Sequence, residues 1–139
     1  MDERIVKFLK KMHLASVCAI DDEGQPYAFS AFYAFDEVNF CLLLASCDES
    51  SHVKFLKNSK LVAGTVALDT KIVGKIEGVQ FQGVMREAST SEREIYFKRF
   101  FYAKAMDPKI WSISLEKVKF TSNTLGFGKK IKWERGDKI

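Results

Sequence analysis

The longest β-like run in the 139-residue chain, residues 72–87 (IVGKIEGVQFQGVMRE), is broken by glycine at positions 74, 78 and 83. Glycine inside a strand marks a bulge or a sharp bend. A long strand bent in this way suits the corners of a small closed barrel. Other strand-like stretches lie at 14–20, 27–35, 38–45, 61–68, 111–121 and 129–135. Most are joined by hairpin-length turns, such as Asp21-Asp22-Glu23-Gly24-Gln25-Pro26 and Asp69-Thr70-Lys71. No ten-residue helix separates each pair, which argues against a doubly wound parallel sheet. The expected architecture is mainly β with peripheral helices: a small antiparallel barrel of six to seven strands, forming one domain over 1–139.

Three helices are expected. In 2–12, Ile5, Phe8, Leu9 and Met12 share one face and lysines take the other. A second starts at Ser51. A third runs over 92–105, opened by the capping-box spacing Ser91-x-x-Glu94 and ended by Asp107-Pro108. In the strand 27–35, Ala28, Ser30, Phe32 and Ala34 share a face of mostly small side chains. That face leaves room for a flat ligand or for close sheet packing.

Residues 42–56 (LLLASCDESSHVKFL) pass from a strand through a polar loop, including Asp48, into a helix start. Unpaired backbone N–H groups there, with Ser46, Ser50, Ser51, His52 and Lys54, could seat a phosphate. The same serines equally suit a plain N-cap.

Hydrophobic residues make up 47% and charged residues 29% of the chain, the balance of a globular protein. The net charge of +4 is interspersed and calls for no nucleic acid. No apolar run approaches the ~18 residues of a membrane span. The amphipathic N-terminus has two early acids and no cleavage site, unlike a signal peptide. Three cysteines without a Cys-x-x-Cys read as small buried hydrophobes in a cytoplasmic protein, with Cys47 set apart by its polar loop. Gly-x-Ser-x-Gly and His-Glu-x-x-His are absent, and Gly126-x-Gly128-Lys129-Lys130 lacks the rest of a Walker sequence. His13 and His52, the two histidines, have no ligand spacing to each other or to the cysteines, so no metal site is expected. If the protein is an enzyme, an organic cofactor carries its reaction.

Longer motifs carry a resemblance. Gly24-Gln25-Pro26 precedes the small-residue strand with Ala28 and Ser30, and Asn58-Ser59-Lys60-Leu61-Val62-Ala63 follows the polar loop and helix. In this the chain resembles the FMN-binding split-barrel superfamily, whose best-known members are the pyridoxamine 5′-phosphate oxidases. Ala31-Phe32-Tyr33-Ala34-Phe35-Asp36, Val62-Ala63-Gly64-Thr65-Val66, Ile76-Glu77-Gly78-Val79-Gln80-Phe81-Gln82-Gly83 and the segment 119–130 (KFTSNTLGFGKK) are most similar to the small bacterial YhbP-like family.

The resemblance implies a split barrel and a homodimer with FMN at the subunit interface. It implies the flavin phosphate at Ser46, Ser50, Ser51 and His52, and the isoalloxazine along Ser30, Ala31, Phe32 and Tyr33. Gln80 or Gln82 would reach the ribityl chain or ring edge. Trp111, or the 124–129 loop with Lys129, would close the site across the dimer. One departure stands out: Ser50-Ser51-His52 replaces the Ser-Arg-Lys of pyridoxamine oxidases, so two fixed positive charges are missing. Each lost charge-assisted contact costs about 1.5–3 kcal/mol. The implied function is a flavin-dependent oxidoreductase of unknown substrate, with neither membrane nor nucleic acid as partner. The alternative is a non-catalytic flavin- or haem-binding module, with His13 or His52 as the haem's axial ligand.

Overall fold

The computed structural model of the chain describes residues 1–47 and 49–136; Asp48, in the polar loop, and residues 137–139 lie outside the described residues. Helix α1 (Glu3–Lys11) leads into β1 (Leu14–Ile20), β2 (Pro26–Phe32), β3 (Ala34–Asp36) and β4 (Cys41–Ala45). The one-turn α2 (Ser51–Lys54) and a 3-10 turn connect to β5 (Leu61–Ala67). Then come β6 (Glu77–Glu87), α3 (Thr90–Arg99), β7 (Ile110–Ser122) and β8 (Lys129–Glu134).

All strand pairs are antiparallel, in the order β2-β1-β5-β6-β7-β4-β3, with β8 also on β7. β2 and β3 are the two ends of that order, yet only Tyr33 separates them in the chain. The sheet therefore curls until its ends approach each other. No ladder joins β2 to β4 among the described residues, so the barrel stays split along that line.

This makes eight strands rather than six or seven, because the stretch 27–35 divides at Tyr33. The Tyr33 amide donates to His13 O, its ring is fully buried, and its hydroxyl donates to Leu9 O at 2.8 Å. Burial pushes the phenol's pKa well up. Tyr33 thus ties the strand crossing to the end of α1. Tyr33→Phe leaves the Leu9 carbonyl without that donor and is expected to cost about 1–2 kcal/mol. A urea melt checks this as a lower midpoint with an unchanged slope.

Other boundaries moved for local reasons. The strand expected from 38 starts at Cys41, because Asp36 accepts from the Val38 and Asn39 amides and tightens the turn. Residues 73–75 form a 3-10 turn, and β6 begins only at Glu77. Of the three glycines in the run, Gly83 marks the bend: the β6–β7 register shifts between Gln82 and Gly83, leaving Glu116 as an extra residue on β7. The capping box lies two residues earlier than expected. The Ser89 hydroxyl accepts from the Glu92 amide, and the Glu92 carboxylate accepts from the Ser89 amide. α3 then ends at Arg99, and a 3-10 segment follows it to Met106.

Inside the barrel, Val17, Val62, Val66, Val79, Phe81, Ile113, Leu115, Val118 and Phe120 pack with Ile5, Phe8 and Leu9 of α1. β4 is buried on both faces. Leu42 and Leu44 join the barrel interior, while Cys41 and Leu43 pack under Tyr96 and Phe97 of α3. This explains its unbroken apolar text.

Candidate ligand site

The polar loop after β4 folds onto the open edge of β2. The His52 ring stacks on Phe29 at 3.7 Å with an 11° interplanar angle, and its Nε2 lies 2.7 Å from Ser46 Oγ. Trp111 Nε1–H donates to Ser46 O at 3.0 Å, and Lys109 Nζ sits 5.2 Å from the Trp111 ring centroid. Ser50 Oγ is engaged with Cys47 Sγ at 3.3 Å. This contact holds the exposed Cys47 thiol below its ordinary pKa. Burial pushes the His52 pKa below the ordinary histidine range. Ser50 occupies the N-cap position but makes no side-chain cap bond, and α2 has only four residues. Neither the plain N-cap nor a strong helix dipole is present. Within the loop, Ser46 bonds His52 and Ser50 bonds Cys47, so these side chains are engaged with one another in pairs.

A concavity lies on the outer face of β1, β5, β6, β7 and β8, a groove of about 720 Å³. Register defines its floor. Ser30, Ser16, Thr65, Gln80, Lys119 and Lys132 stand directly opposite one another across successive strands, as do Ala28, Cys18, Ala63, Gln82, Lys117 and Glu134. Side chains paired across a ladder share a face. At ~4.8 Å per strand, the five steps of each row span about 24 Å. Small side chains fill the β2–β1–β5 half, glutamines the middle, and Lys117, Lys119 and Lys132 with Glu134 the far wall.

The sequence-predicted residues divide between these places. Ser46, His52 and Trp111 meet directly, with Ser50 and Ser51 beside them. Gln80 and Gln82 line the groove, and Ser30 lies on its row. Ala31 is half-buried on the inner side of β2, and Phe32 is exposed beside His13. Tyr33 corrects the expectation: held in the core by packing and its Leu9 bond, it cannot lie along a ligand. Lys129 pairs with Ser122, at the other end of β7 from Trp111, so one chain does not bring it to the loop. Ser16, Thr65, Lys119 and Lys132 went unnoticed, because only the strand register places them on one face.

One trio, Asp36, Cys41 and Glu92, brings potential metal-ligand atoms within 4.8 Å of one another. Its carboxylates are already committed, Asp36 to the Val38 and Asn39 amides and Glu92 to Arg86, Ser89 and Ser112. A fixed guanidinium there opposes a cation.

A curled antiparallel sheet whose two ends approach without pairing is a split β-barrel. The chain belongs to the UPF0306 YhbP family, being 40% identical over 135 residues to a UPF0306 protein YhbP from Salmonella schwarzengrund, across 94% of this chain and 91% of that one. No family model matches the chain. Among solved structures, a conserved hypothetical protein from Mycobacterium tuberculosis superposes with a TM-score of 0.75 at 18% identity, over 93% of this chain and 90% of that one. An FAD-binding protein from Mesorhizobium loti gives 0.69 at 15% identity, over 86% and 94%. A haem-binding protein from Mycobacterium smegmatis gives 0.73 at 15% identity over 88% of this chain and 53% of that one, so this chain spans about half its length. At such identities the likeness is one of fold. No helix among the described residues is long and apolar enough to cross a membrane.

Proposed function

We propose that this chain is a cytoplasmic flavin-binding protein, with FMN as the flavin and a second copy of the chain closing the groove. The observation that carries the reading is the groove itself. Its volume falls within the ~300–1,000 Å³ of small-molecule sites, and its floor of Ser16, Ala63 and Thr65 leaves a flat surface for a ring. Gln80 and Gln82 each present an amide donor and an acceptor on that surface. The edge of a flavin's pyrimidine ring alternates the same two kinds of group. Leu14 and Phe32, cross-strand partners on the groove face of β1 and β2, are exposed, which supports coverage by another subunit. A bound flavin would supply two-electron chemistry, and the protein would position it, exclude water and select the substrate. The solved relatives that bind FAD and haem support a planar ligand in this fold. The geometry of His52 favours flavin over haem, since its Nε2 faces Ser46 and its ring is stacked on Phe29.

Titration of the protein with FMN, followed by fluorescence quenching, is expected to saturate in the micromolar range. Thr65→Trp fills the floor from an exposed strand position where an aromatic residue is well tolerated. It is expected to weaken FMN at least tenfold while leaving the melting temperature within about 2 °C. A Soret band on adding haem, with no flavin quenching at high micromolar concentration, would replace this reading with the haem one. Light scattering of a concentration-independent monomer would remove the second copy from the proposal.

A further inference from the structure

The loop after β4 has no arginine, its histidine is stacked on Phe29, and the lysine beside it, Lys109, is paired with Glu87 at 3.0 Å, so the groove is the better source of positive charge for an anionic ligand. That charge is concentrated on the far wall of the groove. Lys119 on β7 stands directly opposite Lys132 on β8, and Lys117 and Lys130 flank the pair on the same face. Like charges placed directly opposite each other across a ladder repel. Among the described residues, neither Lys119 nor Lys132 has a carboxylate within ion-pair distance. The acid on this wall, Glu134, is paired with Lys117 at 3.6 Å. On its other side Lys119 faces Gln80, a neutral residue on the same groove floor. A repulsive pair kept in a concave site, with glutamine rather than glutamate beside it, is a feature that an anion would relieve.

We propose that Lys119 and Lys132 form the anion seat of the groove and hold a phosphate group of the bound small molecule. The identity of that molecule rests on the flavin reading above; the seat itself rests on the paired lysines. The phosphate belongs either to the flavin or to a second, phosphorylated substrate lying beside it. The first would turn the cofactor away from the polar loop, with its phosphate on β7–β8. Lys117 and Lys130 add long-range attraction, and the loss of affinity with salt follows from the exposure of the site.

The test uses the full chain and inorganic pyrophosphate as the probe. Saturable amide shifts at 117–121 and 130–134 are expected on titration, weakened more than tenfold in K119Q/K132Q and restored in K119R/K132R. The double variant should fold, with a melting temperature equal to or above that of the parent, because its substitutions remove a repulsion. FMN and riboflavin affinities then separate the sources. If the flavin phosphate occupies the seat, FMN binds at least tenfold tighter than riboflavin and the double variant abolishes the difference. If a second substrate occupies it, the FMN-to-riboflavin ratio is the same in both proteins while pyrophosphate still discriminates between them. Pyrophosphate binding without flavin binding would sink the flavin reading and leave the seat standing. Absence of saturable shifts, or equal pyrophosphate affinity in parent and K119Q/K132Q, would overturn the seat.

Discussion

Glu92→Ala is expected to lower stability by about 3 kcal/mol, although Glu92 lies outside the groove. Its carboxylate, 4% exposed, takes two bonds from the Arg86 guanidinium, at 2.7 and 3.1 Å, one from the Ser89 amide and one from the fully buried Ser112 hydroxyl. These contacts pin the start of α3 to β6 and β7. Alanine removes half of the capping box, worth about 1 kcal/mol, and strands the Ser112 hydroxyl, worth a further 1–3 kcal/mol. Breaking a fully buried ion pair costs about 3–5 kcal/mol. Here the Arg86 side chain is 44% exposed and regains water, so the low end of that range applies.

The same site sets an acid limit. Despite its desolvation and the Asp36 carboxylate nearby, the bonds from Arg86, Ser89 and Ser112 hold the Glu92 pKa at about 2 instead of 4.5. A depressed folded-state pKa means the unfolded chain takes up the proton first. The stabilisation is therefore complete above about pH 4.5 and is lost as the pH falls towards 2. Glu92→Gln should flatten the stability profile across that window. Urea midpoints measured from pH 6 to pH 2.5 check both variants. A Glu92→Ala loss below 1 kcal/mol, or an unchanged acid slope in Glu92→Gln, would show that α3 is held by packing alone.

Much of the fold was legible because each strand stretch carried its own period. Ile5, Phe8 and Leu9 gave α1 its buried face, and the alternation of 27–33 gave the inner and outer sides of β2. What escaped was decided by contacts distant in sequence. Nothing local marks Tyr33 as the pivot between two strands, since its partners His13 and Leu9 lie on other elements. The bulge at Glu116 did leave a trace. Buried positions run Ile113, Leu115 and then Val118, Phe120, a change of phase that signals one extra residue. In the candidate site, the loop's residue types were readable, but not that Ser46 would face His52 or Ser50 would face Cys47. Lys119 and Lys132 are 13 positions apart in sequence, and only the β7–β8 register sets them opposite each other.

Gly64 links the barrel interior to the groove above it, and replacing it is expected to damage both. On β5 it pairs with Val17 on one side and Phe81 on the other. A Cβ added there would stand 2.6 Å from the Phe81 ring and would collide with the Ser16 carbonyl oxygen. The ring can turn, but the carbonyl belongs to the β1 backbone beside β5 and cannot move without opening that pairing. Gly64→Val is therefore expected to cost at least about 3 kcal/mol, the upper end of overpacking penalties, because backbone as well as side chain must give way. Gly74→Ala is the control. A Cβ at Gly74 meets nothing within 4 Å and its φ is not in the left-handed region. That substitution is expected to be neutral or to stabilise by about 0.4–1 kcal/mol through the unfolded chain. Ser16 and Thr65 flank Gly64 on the outer face, so a splayed β1–β5 pair also tilts the groove floor. Gly64→Ala, the milder change, should therefore weaken the FMN binding proposed above at temperatures where the variant is still folded. If Gly64→Ala and Gly74→Ala melt together, the close approach of Ser16 and Phe81 is not what keeps glycine at position 64.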